Sequence, residues 1–162
     1  MFSIDSFIHS FSLECNICIR LYHKMHPGAV DYRPTPGQRS TLELLRYLSY
    51  GPYNCIRRVL AGDWSVGRPT AEVTRDMPPS DFPVRMKWQS DEVARLMKTA
   101  NLIALEQDTF TFPWGDAMKK GECLTNQPLK WLVAYRMQLF LYLKAAGARD
   151  LGTKDLWHVP KG

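Results

Sequence analysis

Trp131-Leu-Val-Ala-Tyr-Arg-Met-Gln-Leu-Phe-Leu-Tyr-Leu-Lys-Ala-Ala-Gly147 is the stretch on which the fold class turns. Just before and within it, Leu129, Leu132, Val133, Leu139, Phe140 and Leu143 fall on one face of a 3.6-residue helix. A second face, Trp131, Tyr135, Gln138 and Tyr142, adjoins the first. A helix apolar over so much of its circumference lies at the centre of a bundle or is shared with a second subunit. Asn126 and Pro128 mark its start and Gly147 its stop.

Working outward, the eleven prolines leave four long windows in which a helix can run: 1–26, 37–68 with one interruption at Pro52, 84–112, and 129–159. In the first window Ile4, Phe7, Ile8, Phe11, Cys15, Cys18, Tyr22 and Met25 form an apolar stripe that should stop at Pro27-Gly28. The second opens on Ser40 with Glu43 three residues later, a pairing that can satisfy two backbone N–H groups of a first turn. Its stripe is Leu44, Leu45, Leu48, Cys55, Ile56 and Val59, and because the spacing resumes in phase beyond Gly51-Pro52, that dipeptide is expected to kink the helix rather than end it. Gly62 is the expected stop. The third window carries Met86, Val93, Leu96, Met97 and Ala100, with Asp81 as a cap before Pro83. Thr109–Trp114 alternates polar and apolar residues, and pairing with Glu122–Thr125 would make a short β-hairpin ahead of the last helix. The expected fold class is therefore all-α, a four-helix bundle with long connections, in one domain spanning 1–162.

Composition agrees with a folded single-core chain: 162 residues, 45% apolar, 21 Lys plus Arg against 16 Asp plus Glu for a net charge of +5. No apolar run approaches the roughly 20 residues needed to cross a bilayer. The basic residues are dispersed, the longest runs being Arg57-Arg58 and Lys119-Lys120, so nucleic acid is not an expected partner. The opening MFSIDSFIHS has no secretory pattern, and four cysteines do not suggest a disulfide framework, so a reducing cytoplasm is the expected compartment.

Other chemistry is sparse. Cys15 and Cys18 fall on a core stripe and no second Cys-x-x-Cys exists, so they read as buried structural thiols. His9 is alone, His23 and His26 sit at a helix end, and His158 is in the tail; surface histidines are the simpler account of them. Phe110, Phe112 and Trp114 fit strand packing on helices better than a stacking platform, and Ser40 reads as a cap rather than a nucleophile.

Two segments carry a resemblance. Asp31-Tyr-Arg-Pro-Thr-Pro-Gly-Gln-Arg-Ser40, leading into Thr41–Leu48, resembles the entry to the second helix of the DinB-like superfamily of helical bundles, and Trp131–Gly147 is similar to that family's last helix, with its His-x-x-x-His-Arg-Gly-Gln pattern. The resemblance implies a divalent metal held by three histidines in typical members, and in some of them metal-dependent transfer to low-molecular-weight thiols, or hydrolysis. Here Tyr47, Trp131 and Tyr135 stand on the three ligand positions; Arg136 and Gln138 match the pattern, and Met137 replaces its glycine. Tryptophan cannot ligate a metal and neutral tyrosine is a poor ligand. The expectation is thus a bundle without metal or other cofactor, non-catalytic or weakly active, with a small-molecule pocket lined by those aromatics; the alternative is a divalent-metal-dependent thiol transferase or hydrolase. Paired subunits in the family, and the two apolar faces of the last helix, imply a homodimer.

Arg136 points by helical phase into an apolar face, where an unpaired charge would be too costly. Glu14 and Glu43 are the candidate partners, unless Arg136 snorkels to water at the bundle rim.

Overall fold

The computed structural model describes residues 1–157; His158 lies outside them. Among the described residues the regular elements are helices and one hairpin, with α1 (Ile4–His23), α2 (Thr41–Leu48), α3 (Gly51–Ala61), α4 (Thr70–Val73), α5 (Phe82–Lys98), α6 (Leu102–Gln107), α7 (Lys120–Leu124), α8 (Lys130–Ala145) and α9 (Thr153–Trp157). α1 packs between α5 and α8, while α2 lies against α8 and α3 against α5. The bundle's four staves are therefore α1, the α2–α3 pair, α5 and α8. Their shared interior is filled by the predicted stripes: Phe11, Cys15 and Cys18 from α1, Leu44, Leu45 and Leu48 from α2, Met86 and Met97 from α5, and Leu132, Leu139 and Leu143 from α8 are fully buried. All four cysteines are free and buried.

The capping box at the head of α2 forms as read. The Glu43 backbone N–H donates to Ser40 Oγ at 3.2 Å, and the Ser40 N–H donates to the Glu43 carboxylate at 2.7 Å. Gly62 and Gly147, with φ of +72° and +109°, close α3 and α8 in the left-handed region that glycine enters without a Cβ clash.

The kink expected at Gly51-Pro52 is instead a break. α2 ends at Leu48, Tyr50 leaves helical geometry at φ −147°, and α3 starts afresh with proline in its first turn. Pro52 has no N–H to offer the Leu48 carbonyl four residues back, so the ladder is interrupted there. Gln89, on α5 and fully buried, bridges the gap: its Nε2 donates to Leu48 O at 3.0 Å and its Oε1 accepts from the Tyr53 N–H at 3.1 Å.

The hairpin also differs from expectation in its second strand. β1 (Thr109–Thr111) pairs antiparallel with β2 (Ala117–Lys119), Phe110 opposite Met118, and Glu122–Leu124 is helical. Gly115, at φ +100°, allows a tight turn in which the Phe112 N–H donates to Asp116 O, so the return strand starts too early to reach Glu122. Phe110 and Phe112 are buried against Trp64, as strand packing requires.

α9 is tied down by cations. Arg20 donates to the carbonyls of Lys154 and Asp155, and Lys24 lies 3.1 Å from the buried Asp155 carboxylate, which also accepts from the Gly152 N–H at 2.8 Å. That backbone hydrogen bond, with Lys24 beside it, holds the Asp155 pKa below its usual 3.8. A carboxyl lowered in the folded state stabilises above its unfolded pKa and loses that contribution as pH falls through its folded value. Below about pH 3.8, wild type should therefore lose stability faster than Asp155→Asn, and the two stability profiles, followed by denaturant midpoint, should converge in acid.

Candidate functional site

α2 and α8 bring two of the three aromatic positions together. The rings of Tyr47 and Tyr135 meet edge to face, centroids 4.8 Å apart at 65°. The Arg39 guanidinium lies over them, 4.5 Å from the Tyr47 centroid and 5.6 Å from that of Tyr135. From below, Tyr47 rests on Gly51, where an added Cβ would come within 3.3 Å of the ring. Burial, reinforced by Tyr135, pushes the Tyr47 hydroxyl up to about 12 against the pull of Arg39. Burial likewise raises the nearby Cys55 thiol to about 12. Both groups stay protonated at neutral pH.

Trp131, one turn before Tyr135, is half-buried against the core and joins no ring pair among the described residues. The two polar residues matched to the family pattern point elsewhere. Arg136 is fully buried between α8 and α1, its Nε 2.6 Å from the Glu14 carboxylate, its Nη1 donating to the Leu156 carbonyl and its guanidinium 4.8 Å from the Trp157 ring. Of the two carboxylates suggested by sequence, Glu14 is the partner; Glu43 serves the capping box and sits 2.8 Å from Arg33. Gln138 donates to the Tyr142 hydroxyl at 2.7 Å, and Tyr142 packs edge to face on Tyr32. The second face of α8 is thus covered within the chain by Tyr47 and Tyr32.

Tyr47 also forms one wall of a cleft of about 440 Å³ between the Arg33–Arg39 loop, α2, α4 and the Thr74-Arg75 turn. Arg33, Arg39, Arg46 and Arg75 line it, with Glu43 as the sole acid among the described residues. Sequence reading missed this cleft because its arginines come from three separate segments with no spacing rule to connect them.

The described residues superpose on the crystal structure of a DinB-like protein from Bacillus subtilis, YjoA, with a TM-score of 0.69 at 16% identity, covering 91% of this chain and 95% of that one. The fold is DinB-like. No family model and no curated protein matches the chain.

The metal that the DinB-like resemblance implies can be tested against the side chains at those positions. They do not fit it: the indole of Trp131 offers no lone pair, the Tyr47 phenol keeps its proton, and among the described residues no three His, Cys, Asp or Glu side chains gather at a distance that could hold an ion. His9, His23 and His26 are exposed. No helix of the described residues is long and apolar enough to cross a membrane.

Proposed function

We propose that this DinB-like bundle, one domain over 1–162, is a metal-free, cytoplasmic small-molecule-binding protein with little or no catalysis of its own. The observation that carries the reading is the Arg39–Tyr47–Tyr135 stack, which fills with rings and a cation the place where the resemblance puts a metal. Without a Lewis acid the site lacks the means by which a metal-dependent transferase or hydrolase generates its thiolate or hydroxide. Elemental analysis of the dialysed protein tests it. Zinc, nickel and iron should all be substoichiometric, and a stoichiometric metal would overturn the proposal in favour of a thiol transferase or hydrolase. The companion variant Tyr47→His, Trp131→His, Tyr135→His should gain saturable zinc binding by calorimetry while keeping its helical circular dichroism.

A homodimer belongs to the same proposal. Its basis is no longer the second face of α8, which the chain covers itself, but the exposed Val84 and Trp88 on α5 beside Ile19 of α1. Light scattering at tens of micromolar should give twice the 18.7 kDa chain mass; the chain mass itself would refute it.

A further inference from the structure

We infer that the arginine-lined cleft beside Tyr47 binds a small organic anion through carboxylate or phosphate oxygens, an inference that rests on reading the site as a ligand pocket. Among the described residues, four arginines and only one acidic side chain line this cavity of about 440 Å³. That carboxylate is committed, since Glu43 accepts from the Ser40 N–H at 2.7 Å and lies 2.8 Å from Arg33. Arg46 spends its Nε on the Met77 carbonyl at 3.0 Å, which fixes the side chain but leaves its charge unbalanced. Arg39 is held by the rings of Tyr47 and Tyr135 and has no carboxylate within ion-pair distance among the described residues. Arg75, exposed, has neither a hydrogen bond nor an ion pair among them.

Three positive charges thus share one concavity without a counter-ion from the described chain. Like charges gathered on one cavity wall repel, and an anion that bridges them removes the repulsion while gaining charge-assisted hydrogen bonds. The guanidinium fork matches the oxygens of a carboxylate or a phosphate equally well. The volume falls in the range of about 300 to 1,000 Å³ that holds a metabolite. Thr70 adds a hydroxyl to the wall, and Tyr47 a ring edge against which a flat portion of the ligand can lie.

The test titrates the full chain by calorimetry with two probes, citrate and pyrophosphate, at low and at physiological salt. One-site saturable binding is expected for at least one probe, weaker in salt, and the tighter probe assigns the carboxylate or the phosphate source. Arg75→Gln, at an exposed position with no partner to lose, should weaken binding about tenfold, as loss of a charge-assisted hydrogen bond does. Arg39→Gln should do likewise. Lys98→Gln, an equal loss of charge at an exposed lysine outside the cleft lining, should leave binding unchanged. Failure of both probes to saturate would overturn the inference, as would equal weakening by Lys98→Gln and Arg75→Gln. A protein that retains stoichiometric metal yet binds a probe with Arg75 dependence would refute the metal-free reading alone; a metal-free protein that binds neither would refute this inference alone.

Discussion

Gln89→Leu should destabilise the bundle by about 4 kcal/mol, the largest single loss expected from any polar side chain in it. The amide closes a break that the chain cannot close by itself. Proline at position 52 deprives the Leu48 carbonyl of its helical donor, and the Tyr53 N–H, in the first turn of α3, has no intrahelical acceptor. Both groups are buried in the bundle, where no solvent replaces the lost partner. Leucine has about the right volume, so the substitution isolates the two hydrogen bonds from packing, and each stranded backbone group costs about 1 to 3 kcal/mol. The denaturant midpoint should fall with an unchanged slope. Gln89→Glu should behave differently with pH: the ionised carboxylate accepts from Tyr53 but cannot donate to Leu48, whereas the protonated acid can do both, so its deficit should shrink as pH falls. A midpoint equal to wild type for Gln89→Leu would show that α2 and α3 satisfy their ends another way.

Glu14→Gln should cost about 3 kcal/mol, because it leaves Arg136 fully buried with no carboxylate. The reverse deletion is gentler. Burial already raises the Glu14 pKa above its usual value, by more than Arg136 lowers it, so a Glu14 deprived of its partner can take up a proton, whereas a guanidinium cannot lose one. Arg136→Met, which keeps the aliphatic stem's volume, should therefore cost less than Glu14→Gln, and Arg136→Ala more than Arg136→Met through the cavity it opens. The raised pKa also carries a sign: this carboxyl favours the folded state most below its unfolded pKa and loses that contribution as pH rises through its folded value, opposite to Asp155. The pair thus orders α1 against α8 more than it stabilises them, and the joint replacement Glu14→Leu, Arg136→Met should be close to neutral. A double-mutant cycle on denaturant midpoints measures this directly; additive single and double losses would show that the two residues do not interact.

The helices were legible because burial follows a period. Phe7, Phe11, Cys15 and Cys18, or Leu44, Leu45 and Leu48, could be assigned to a core before any partner was known, since each stripe needs only its own spacing. The Ser40–Glu43 box and the glycine stops at 62 and 147 were legible for the same reason, being local in sequence. What was not legible depends on groups far apart in the chain. Gln89 looks like any polar residue on a helix until the break 36 to 41 positions earlier shows which backbone groups it meets. The in-phase apolar spacing across Gly51-Pro52 hid that break, because a new helix can restart in register. Tyr47 and Tyr135 were matched through a motif and do meet, whereas Trp131, matched the same way, stands a turn aside from their contact. The Arg39, Arg46 and Arg75 cleft has no sequence signature at all, for nothing in the spacing of three dispersed arginines distinguishes a cavity wall from a solvated surface.

The attachment of the last helix sets an order of events during synthesis. Arg20 and Lys24, made early, find their partners between Asp150 and Asp155, and Arg136, made late, adds the Leu156 carbonyl and the Trp157 ring to its ion pair with Glu14. While those residues are still inside the ribosome, the emerged chain carries a buried-type guanidinium with no carbonyl to accept from it and two cations at the end of α1 with nothing to neutralise them. Domains fold as units as the chain emerges, and this one can complete its interior only once residues 150–157 have left the ribosome. A chain stalled before those residues emerge should remain open to protease at α1 and α8, and their emergence, rather than the appearance of any earlier helix, is the step at which the protein becomes resistant.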